Sequence, residues 1–175
     1  MKKFFIAAVL LCAGMLSAEE IKIDGTFKNI SSKTNLPSYW VKNGPGVKDA
    51  SLSVIKDAKG NILKIKSKGK YVAFYSASRI PVVPGAVYKV TTMIKGTAAK
   101  NFSIGYYSYS ATNKFLASSG AGFVVNSPDK FTRYEGTFTI SKNPATKFMR
   151  VQFGSSSAMD IEIQSICVEA VPAAK

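Results

Sequence analysis

The sequence predicts an all-β protein in which two antiparallel sheets pack face to face as a β-sandwich. Apolar and polar residues alternate with a period of two through most of the chain after residue 20, as they do in strands that bury one face. Turn-forming residues interrupt the alternation at short intervals, and no long segment has apolar residues recurring at three and four positions. Many short strands in a chain of 175 residues are expected to close over each other as two layers.

The first 18 residues have the features of a secretory signal peptide. Two lysines precede the apolar run 4–16, and Ala18 provides a small residue at the expected cleavage position. The run is shorter than the roughly 20 apolar residues of a membrane span, and no later segment reaches that length. We therefore expect cleavage after Ala18, a secreted or periplasmic protein without a membrane span, one domain over 19–171 and a short tail over 172–175.

The candidate strands are separated by turn residues. They cover residues 21–27, 52–56, 62–66, 71–75, 86–95, 102–109, 131–140, 147–153 and 160–168. The five-residue segment 57–61 contains Gly60 and separates two alternating runs, which predicts a hairpin over 51–65. Segment 111–126 is rich in Ser, Gly and Ala, and we interpret it as a long connection with at most one weak strand at 122–125.

The composition argues against an enzyme. The chain has no histidine, which removes the usual general base, zinc ligand and partner of a nucleophilic serine or cysteine. Beyond residues 1–18 the only cysteine is Cys167, for which we expect a buried, unreactive thiol. Asp160 and Glu162 share one strand face at about 7 Å, a separation found in inverting glycosidases. Because the two carboxylates project side by side, they would not lie on opposite sides of a glycosidic bond as hydrolysis requires. We therefore interpret them as a solvent-facing pair.

The basic charge of the chain has two interpretations. The formal net charge is +14, and Lys64, Lys66 and Lys68 share one face of a predicted strand. Such a stripe attracts an acidic polysaccharide or an anionic envelope surface, or it protects an edge strand against unwanted pairing. We favour edge protection. Nucleic acid is not expected as a partner because the lysines are scattered, arginine is scarce and the protein is exported.

Three segments carry a resemblance to a known family. They are Asp24-Gly25-Thr26-Phe27 followed by Trp40, the turn and strand start Ile80–Tyr88, and Phe131–Phe138 followed by Met149–Phe153. In this order they resemble carbohydrate-binding modules of the cellulose- and xylan-binding jelly-roll type, within the galactose-binding-like sandwiches. The resemblance implies a jelly-roll arrangement of the two sheets and a polysaccharide or other glycan as the ligand.

Members of that group often hold a structural calcium with acidic residues, and this chain departs from the pattern. Lys28 follows Phe27 in the opening segment, and Gln164 and Ser165 stand in the closing strand where acids would align. Calcium prefers several oxygen ligands, many of them charged. No cofactor is therefore expected, and a structural calcium is doubtful.

A glycan-binding face is predicted from the alternation within two strands. Tyr107 and Tyr109 point away from the core on one strand, and Arg150 and Gln152 do so on another. If the strands share a sheet, these four form an aromatic and polar groove, since sugars stack C–H patches on rings and bond hydroxyls to polar groups. The alternative is ordinary cross-strand pairing of the tyrosines. Trp40, the fifth candidate, either stacks on the ligand or packs in the core.

The leading hypothesis is a secreted, non-catalytic module that recognises a glycan, neutral or acidic, through this aromatic face or the adjoining loops. The alternative is a structural or adhesive protein of the cell envelope that uses the same sandwich to contact a protein partner. Modules of the resembled type usually accompany an enzyme, and only one domain is predicted here. Both hypotheses therefore stay open at the level of the sequence.

Overall fold

The computed structural model describes residues 20–58 and 60–172, and this part of the chain contains strands, one short 3₁₀ helix and no α-helix. The strands are β1 (Trp40–Asn43), β2 (Ser51–Asp57), β3 (Gly60–Lys68), β4 (Val72–Ser76), β5 (Ile80–Pro81), β6 (Val87–Ala98), β7 (Phe102–Tyr109), β8 (Phe115–Phe123), β9 (Asn126–Thr139), β10 (Phe148–Ser155) and β11 (Ala158–Ala170). The 3₁₀ helix is Pro45–Lys48. The predicted signal peptide and nearly all of the predicted tail lie outside the described residues.

The strands form two antiparallel sheets that pack on each other. The front sheet has the order β1-β4-β10-β7-β8, with β5 paired to β10, and the back sheet has the order β2-β3-β11-β6-β9. Apolar side chains of both sheets fill one shared core. This is expected because alternation with a period of two gives each sheet one apolar face, and the two apolar faces pack together. Phe153 lies at its centre, with its ring 4.8 Å from Trp40 and 5.0 Å from Phe74. The predicted jelly-roll β-sandwich is confirmed.

Most predicted strands are confirmed, and the exceptions have local causes. The hairpin over 51–65 is formed by β2 and β3, with Ser51 opposite Lys66. Segment 21–27 is not a strand: it bonds to β11 at separated points, through the Ile21 N–H to the Val168 carbonyl (2.8 Å) and the Ile166 N–H to the Gly25 carbonyl (2.8 Å), and it ends at Phe27 with a positive φ of 53°. The predicted long connection over 111–126 is wrong, since β8 lies within it.

The lysine stripe does not protect an edge. It lies on β3, which is paired on one side with β2 and on the other with β11. Lys66 contacts Asp160 at 3.0 Å and Lys64 contacts Glu162 at 3.1 Å. The prediction of edge protection is therefore wrong, because these two lysines neutralise the two carboxylates of the closing strand.

Candidate functional site

The outer surface of the front sheet carries a row of aromatic rings from three strands. Tyr75 comes from β4, Tyr107 and Tyr109 from β7, and Phe115 from the start of β8. The ring of Tyr107 lies 6.3 Å from Tyr75 and 6.1 Å from Phe115, and Tyr109 lies 6.2 Å from Phe115. All three pairs meet edge to face, the geometry that aromatic rings prefer. Phe115 is 53% exposed although it is a large apolar residue, so the row is open to solvent.

Polar side chains of β10 run between the tyrosines of β4 and β7. Arg150 lies opposite Tyr107 in the register, and its guanidinium carbon lies 5.1 Å from the ring centre of Tyr75. Its Nη1 also donates to the Ser76 carbonyl at 3.2 Å. Gln152 pairs with Gly105 and Tyr75 and is 8% exposed, so it forms the floor of the face.

The structure therefore brings four of the five candidate residues onto one surface. Because β10 and β7 are hydrogen-bonded neighbours, the condition that the sequence left open is met. Tyr75 and Phe115 are not among the residues predicted for the site. For Tyr75 the sequence contains a signal, since the alternation along β4 that buries Phe74 also turns Tyr75 outward. For Phe115 it contains none, because the composition of segment 111–126 indicates a loop.

Tyr107 is fixed at its hydroxyl as well as through its ring. Its oxygen lies 2.6 Å from the hydroxyl of Tyr71 and accepts a longer hydrogen bond from the Asn43 amide at 3.5 Å. Burial, together with the contact to Tyr107, raises the pKa of Tyr71 well above its ordinary value. Burial also raises the pKa of Tyr109, against the opposing influence of nearby arginines. The hydroxyls of Tyr71 and Tyr109 therefore stay neutral at physiological pH and are able both to donate and to accept hydrogen bonds.

One end of the row deepens into a small pocket. Its volume is about 180 Å³, and it is lined by Tyr75, Arg79, Tyr109, Asn113 and Arg150. Arg79 follows β4, and Asn113 lies in the turn before β8 with a positive φ of 67°. No pattern in the sequence indicated Arg79 or Asn113, because a loop residue reaches a site only through the fold around it.

Trp40 does not belong to this surface. It is 4% exposed, its ring packs on Phe27 and Phe153 in the core, and its indole N–H donates to the Asp24 carbonyl at 2.9 Å. A ring enclosed in this way has no free face for a sugar. The candidate assignment of Trp40 to ligand binding is therefore corrected to core packing, which the sequence analysis held open as the alternative.

A larger cavity lies elsewhere, at the end of the sandwich where β3, β6 and β11 meet the start of β9. It measures about 580 Å³, and its lining includes Lys66, Val124, Met159 and Asp160. No aromatic side chain lines it, and its Lys66 and Asp160 are bonded to each other. It therefore offers no stacking platform, and the aromatic row remains the candidate site.

A metal site would need several His, Cys, Asp or Glu side chains close together. Among residues 20–58 and 60–172, no three His, Cys, Asp or Glu side chains come together closely enough to hold a metal ion. In the opening segment, the Asp24 carboxylate accepts hydrogen bonds from the backbone N–H groups of Lys28 (2.8 Å) and Asn29 (2.9 Å). Asp24 thus orders its own loop, and the donor set does not fit a calcium ion.

Within the same described ranges there is no helix of the length and hydrophobicity that a membrane-spanning helix requires.

A jelly-roll sandwich with aromatic and polar side chains across one sheet is the architecture of many carbohydrate-binding modules. A family model described as "Carbohydrate binding domain" (CBM_4_9) matches residues 20–158. The chain belongs to this family. No curated protein sequence matches it.

Solved structures show the same fold at low sequence identity. The chain is similar to the CBM22-1–GH10 modules of Clostridium thermocellum endo-1,4-β-D-xylanase 10B complexed with xylohexaose, with 14% identity, a TM-score of 0.59, and 89% of this chain and 29% of that chain covered. It is similar to the CBM22-1 xylan-binding domain of Paenibacillus barcinonensis Xyn10C, with 10% identity, a TM-score of 0.53, and coverage of 86% and 94%. A cyclase from Fischerella sp. TAU matches with 10% identity, a TM-score of 0.58, and coverage of 91% and 100%. The chain thus spans less than a third of the xylanase.

Proposed function

We propose that the chain is a non-catalytic module that binds a glycan on the outer face of its front sheet. The observation that carries the proposal is the row of Tyr75, Tyr107, Tyr109 and Phe115, which runs across three strands with Arg150 and Gln152 between the rings. The family supports binding of a carbohydrate. The CBM22-1–GH10 modules of the C. thermocellum xylanase, to which the chain is similar, were solved as a complex with xylohexaose, and a xylan-binding domain has the same fold. Both support an extended chain of sugars as the ligand.

The arrangement suits sugars because apolar and polar groups alternate across it. Aromatic rings cover the C–H faces of sugar rings, and neighbouring hydroxyl, amide and guanidinium groups bond to sugar hydroxyls. The Tyr71–Tyr107 hydrogen bond and the packing of Arg150 on Tyr75 hold these groups before any ligand arrives. Such preorganisation reduces the entropy that binding would otherwise cost.

The absence of catalysis is proposed from the residues, since the fold also occurs in a cyclase. Glycoside hydrolysis needs two carboxyl groups on opposite sides of the scissile bond. Asp160 and Glu162 lie together on β11 of the back sheet and are held by lysines, whereas the aromatic row lies on the front sheet. The six strands of the front sheet contain no acidic residue.

We also propose that the protein is exported, with residues 1–18 removed and the module beginning at residue 19. The charged start, apolar run and small residue of this segment support it. Mass measurement of the protein recovered from the periplasm or medium tests the proposal. A chain that retains residues 1–18 would contradict it.

Binding is tested by affinity gel electrophoresis and calorimetry on a panel of soluble neutral and acidic polysaccharides. We expect Tyr107→Ala and Tyr109→Ala each to weaken binding by at least about tenfold, since each removes one stacking ring. The matched control is Phe131→Ala, which removes an aromatic ring from β9 of the back sheet. No binding to any glycan, or equal loss in the control, would refute the proposal. Self-association or a protein partner found by light scattering and pull-down would instead support the structural or adhesive alternative.

A further inference from the structure

We propose that the ligand is an acidic glycan, and that a carboxylate or sulfate group on one of its sugars binds between Arg79 and Arg150 in the pocket at the end of the aromatic row. The inference rests on the proposed function, because it assigns the chemical class of ligand to the same face. It adds a charged subsite to a surface whose aromatic rings alone do not distinguish neutral from acidic sugars.

The first observation is the convergence of two arginines. The chain has three, and Arg79 and Arg150 both line this pocket of about 180 Å³ together with Tyr75 and Tyr109. Both also act on the Tyr109 hydroxyl, where their positive charge opposes the rise in its pKa that burial causes. The two guanidinium groups therefore lie within electrostatic reach of one point, the hydroxyl of Tyr109.

The second observation is that neither of these arginines has an acidic partner within the described part of the chain. The ion pairs there are Lys64–Glu162, Lys66–Asp160, Lys70–Asp49, Lys89–Glu135, Lys95–Glu162 and Arg133–Glu135. Arg150 instead packs on the ring of Tyr75 and donates to the Ser76 carbonyl. These contacts orient the guanidinium group but leave its positive charge uncompensated. An anionic ligand would supply the compensation.

The third observation is the separation of charge between the two sheets. Every acidic residue that lies on a described strand belongs to the back sheet: Asp57 on β2, Asp129 and Glu135 on β9, and Asp160, Glu162 and Glu169 on β11. The segments next to the pocket, 77–79, 110–114 and 141–147, also lack acids and contain lysines as well as Arg79. An anion that approaches the front sheet therefore meets a positive field without a neighbouring carboxylate to repel it.

The chemistry of the lining fits a carboxylate or a sulfate. A guanidinium group presents N–H donors in a planar fork that matches two oxygens of such a group. Arg79 is exposed and follows the end of β4, so it is able to adjust, whereas Arg150 is held by Tyr75 and Ser76. The Tyr109 hydroxyl and the Asn113 amide provide further donors. The sugar ring that bears the anion would then stack along the aromatic row.

The test compares two forms of one polymer by calorimetry. Polygalacturonate carries free carboxylates, and its methyl ester has the same backbone with the charges blocked. A sulfated galactan and its desulfated form make a second pair, which distinguishes a sulfate from a carboxylate. We expect at least tenfold tighter binding of the charged form in one pair, with the preference lost at high salt.

Variants assign the preference to the pocket. Arg79→Gln should weaken binding of the charged polymer about tenfold and leave binding of its neutral form nearly unchanged. Arg150→Gln should weaken binding of both forms, because Arg150 belongs to the face itself, but it should weaken binding of the charged form about tenfold more than binding of the neutral form. Arg150→Lys should recover part of the loss, since it keeps the charge without the fork. Arg133→Gln makes the same change on the back sheet and should have no effect. Melting curves confirm that each variant is folded.

The outcomes separate this inference from the proposed function. Equal affinity for charged and neutral forms, with Tyr109→Ala still weakening both, would refute the acidic subsite and leave glycan binding in place. A charge preference that Arg133→Gln reduces as much as Arg79→Gln would also refute it, because the overall charge of the protein would then be the cause. Loss of all glycan binding would refute both proposals.

Discussion

Replacing Trp40 with phenylalanine tests whether this residue acts in the core and not in the binding face. Trp40 is 4% exposed, lies 4.8 Å from Phe153, and donates its indole N–H to the Asp24 carbonyl at 2.9 Å. The smaller ring removes this hydrogen bond, so that the carbonyl keeps only the longer one from the Phe27 N–H at 3.3 Å, and it opens a gap beside Phe153. Because the outer surface of the front sheet is untouched, we expect Trp40→Phe to lower stability and to leave glycan affinity unchanged.

The size of the effect follows from the two interactions that are lost. The lost hydrogen bond costs about 0.5–1.5 kcal/mol, because the carbonyl keeps its second donor, and the missing part of the ring costs about 1–2 kcal/mol in transfer and cavity energy. Together these lower the free energy of unfolding by roughly 1.5–3.5 kcal/mol. For a domain of this size the melting temperature then falls by roughly 3–14 °C.

The assay pairs thermal unfolding with calorimetric binding to the best polysaccharide of the panel. Tyr109→Ala is the counterpart, since Tyr109 is only partly buried on the outer face. We expect it to lower affinity at least about tenfold and to change stability by less than Trp40→Phe does. If Trp40→Phe melts like the wild type but binds more weakly, the placement of its ring in the core is wrong and the assignment of the face fails with it.

Three further measurements check the fold and its charges. Gly96→Ala should destabilise strongly, because Gly96 has a φ of +123° and a Cβ there would collide with the Asp160 carbonyl. Gly85→Ala, with a φ of +81° and only an ordinary contact with the Lys142 side chain at 3.6 Å, should cost about 1–3 kcal/mol. Burial opposes ionisation of Glu162, but hydrogen bonds from its lysine partners hold the pKa of this carboxyl below its ordinary value of 4.5. The ionised carboxylate therefore contributes stability above pH 4.5, and this contribution should be lost as the pH falls through the lowered pKa. Denaturant unfolding at a series of pH values should show that Glu162→Gln removes this part of the pH dependence. Burial, with nearby carboxylates, raises the pKa of Cys167 to about 11, so iodoacetamide at pH 8 should modify it roughly a hundredfold more slowly in the folded than in the unfolded protein; equal rates would contradict this.

The strand positions and the inward and outward faces could be predicted from the sequence because both are local properties. The bounds of β7, Phe102–Tyr109, coincide with the predicted strand. Within it the buried residues Ile104 and Tyr106 alternate with Tyr107 and Tyr109. A period of two fixes which side chains share a face, and no knowledge of the neighbouring strand is needed.

The strand β8 could not be predicted in this way, because its partner determines it. Its Ser, Gly and Ala residues have little strand preference of their own. In the sheet Gly105 lies directly opposite Gly120, and a Cβ on Gly120 would come 2.8 Å from the Ile104 carbonyl and 2.9 Å from the Cα of Gly105. The small residues that suggested a loop are thus the ones that allow the two backbones to approach closely.

The pocket depends on strand order, which is a non-local property of the chain. Arg79 follows β4, Tyr109 ends β7 and Arg150 lies near the start of β10, so they meet only because β10 inserts between β4 and β7. The same order decides the electrostatics. Acidic and basic residues look mixed along the chain, but the pairing of strands assigns every acid that lies on a strand to the back sheet and leaves Arg79 and Arg150 beside the aromatic row of the front sheet. A charge total of +14 therefore predicts little about the ligand, whereas the placement of two arginines beside an aromatic row predicts an anion at a defined point.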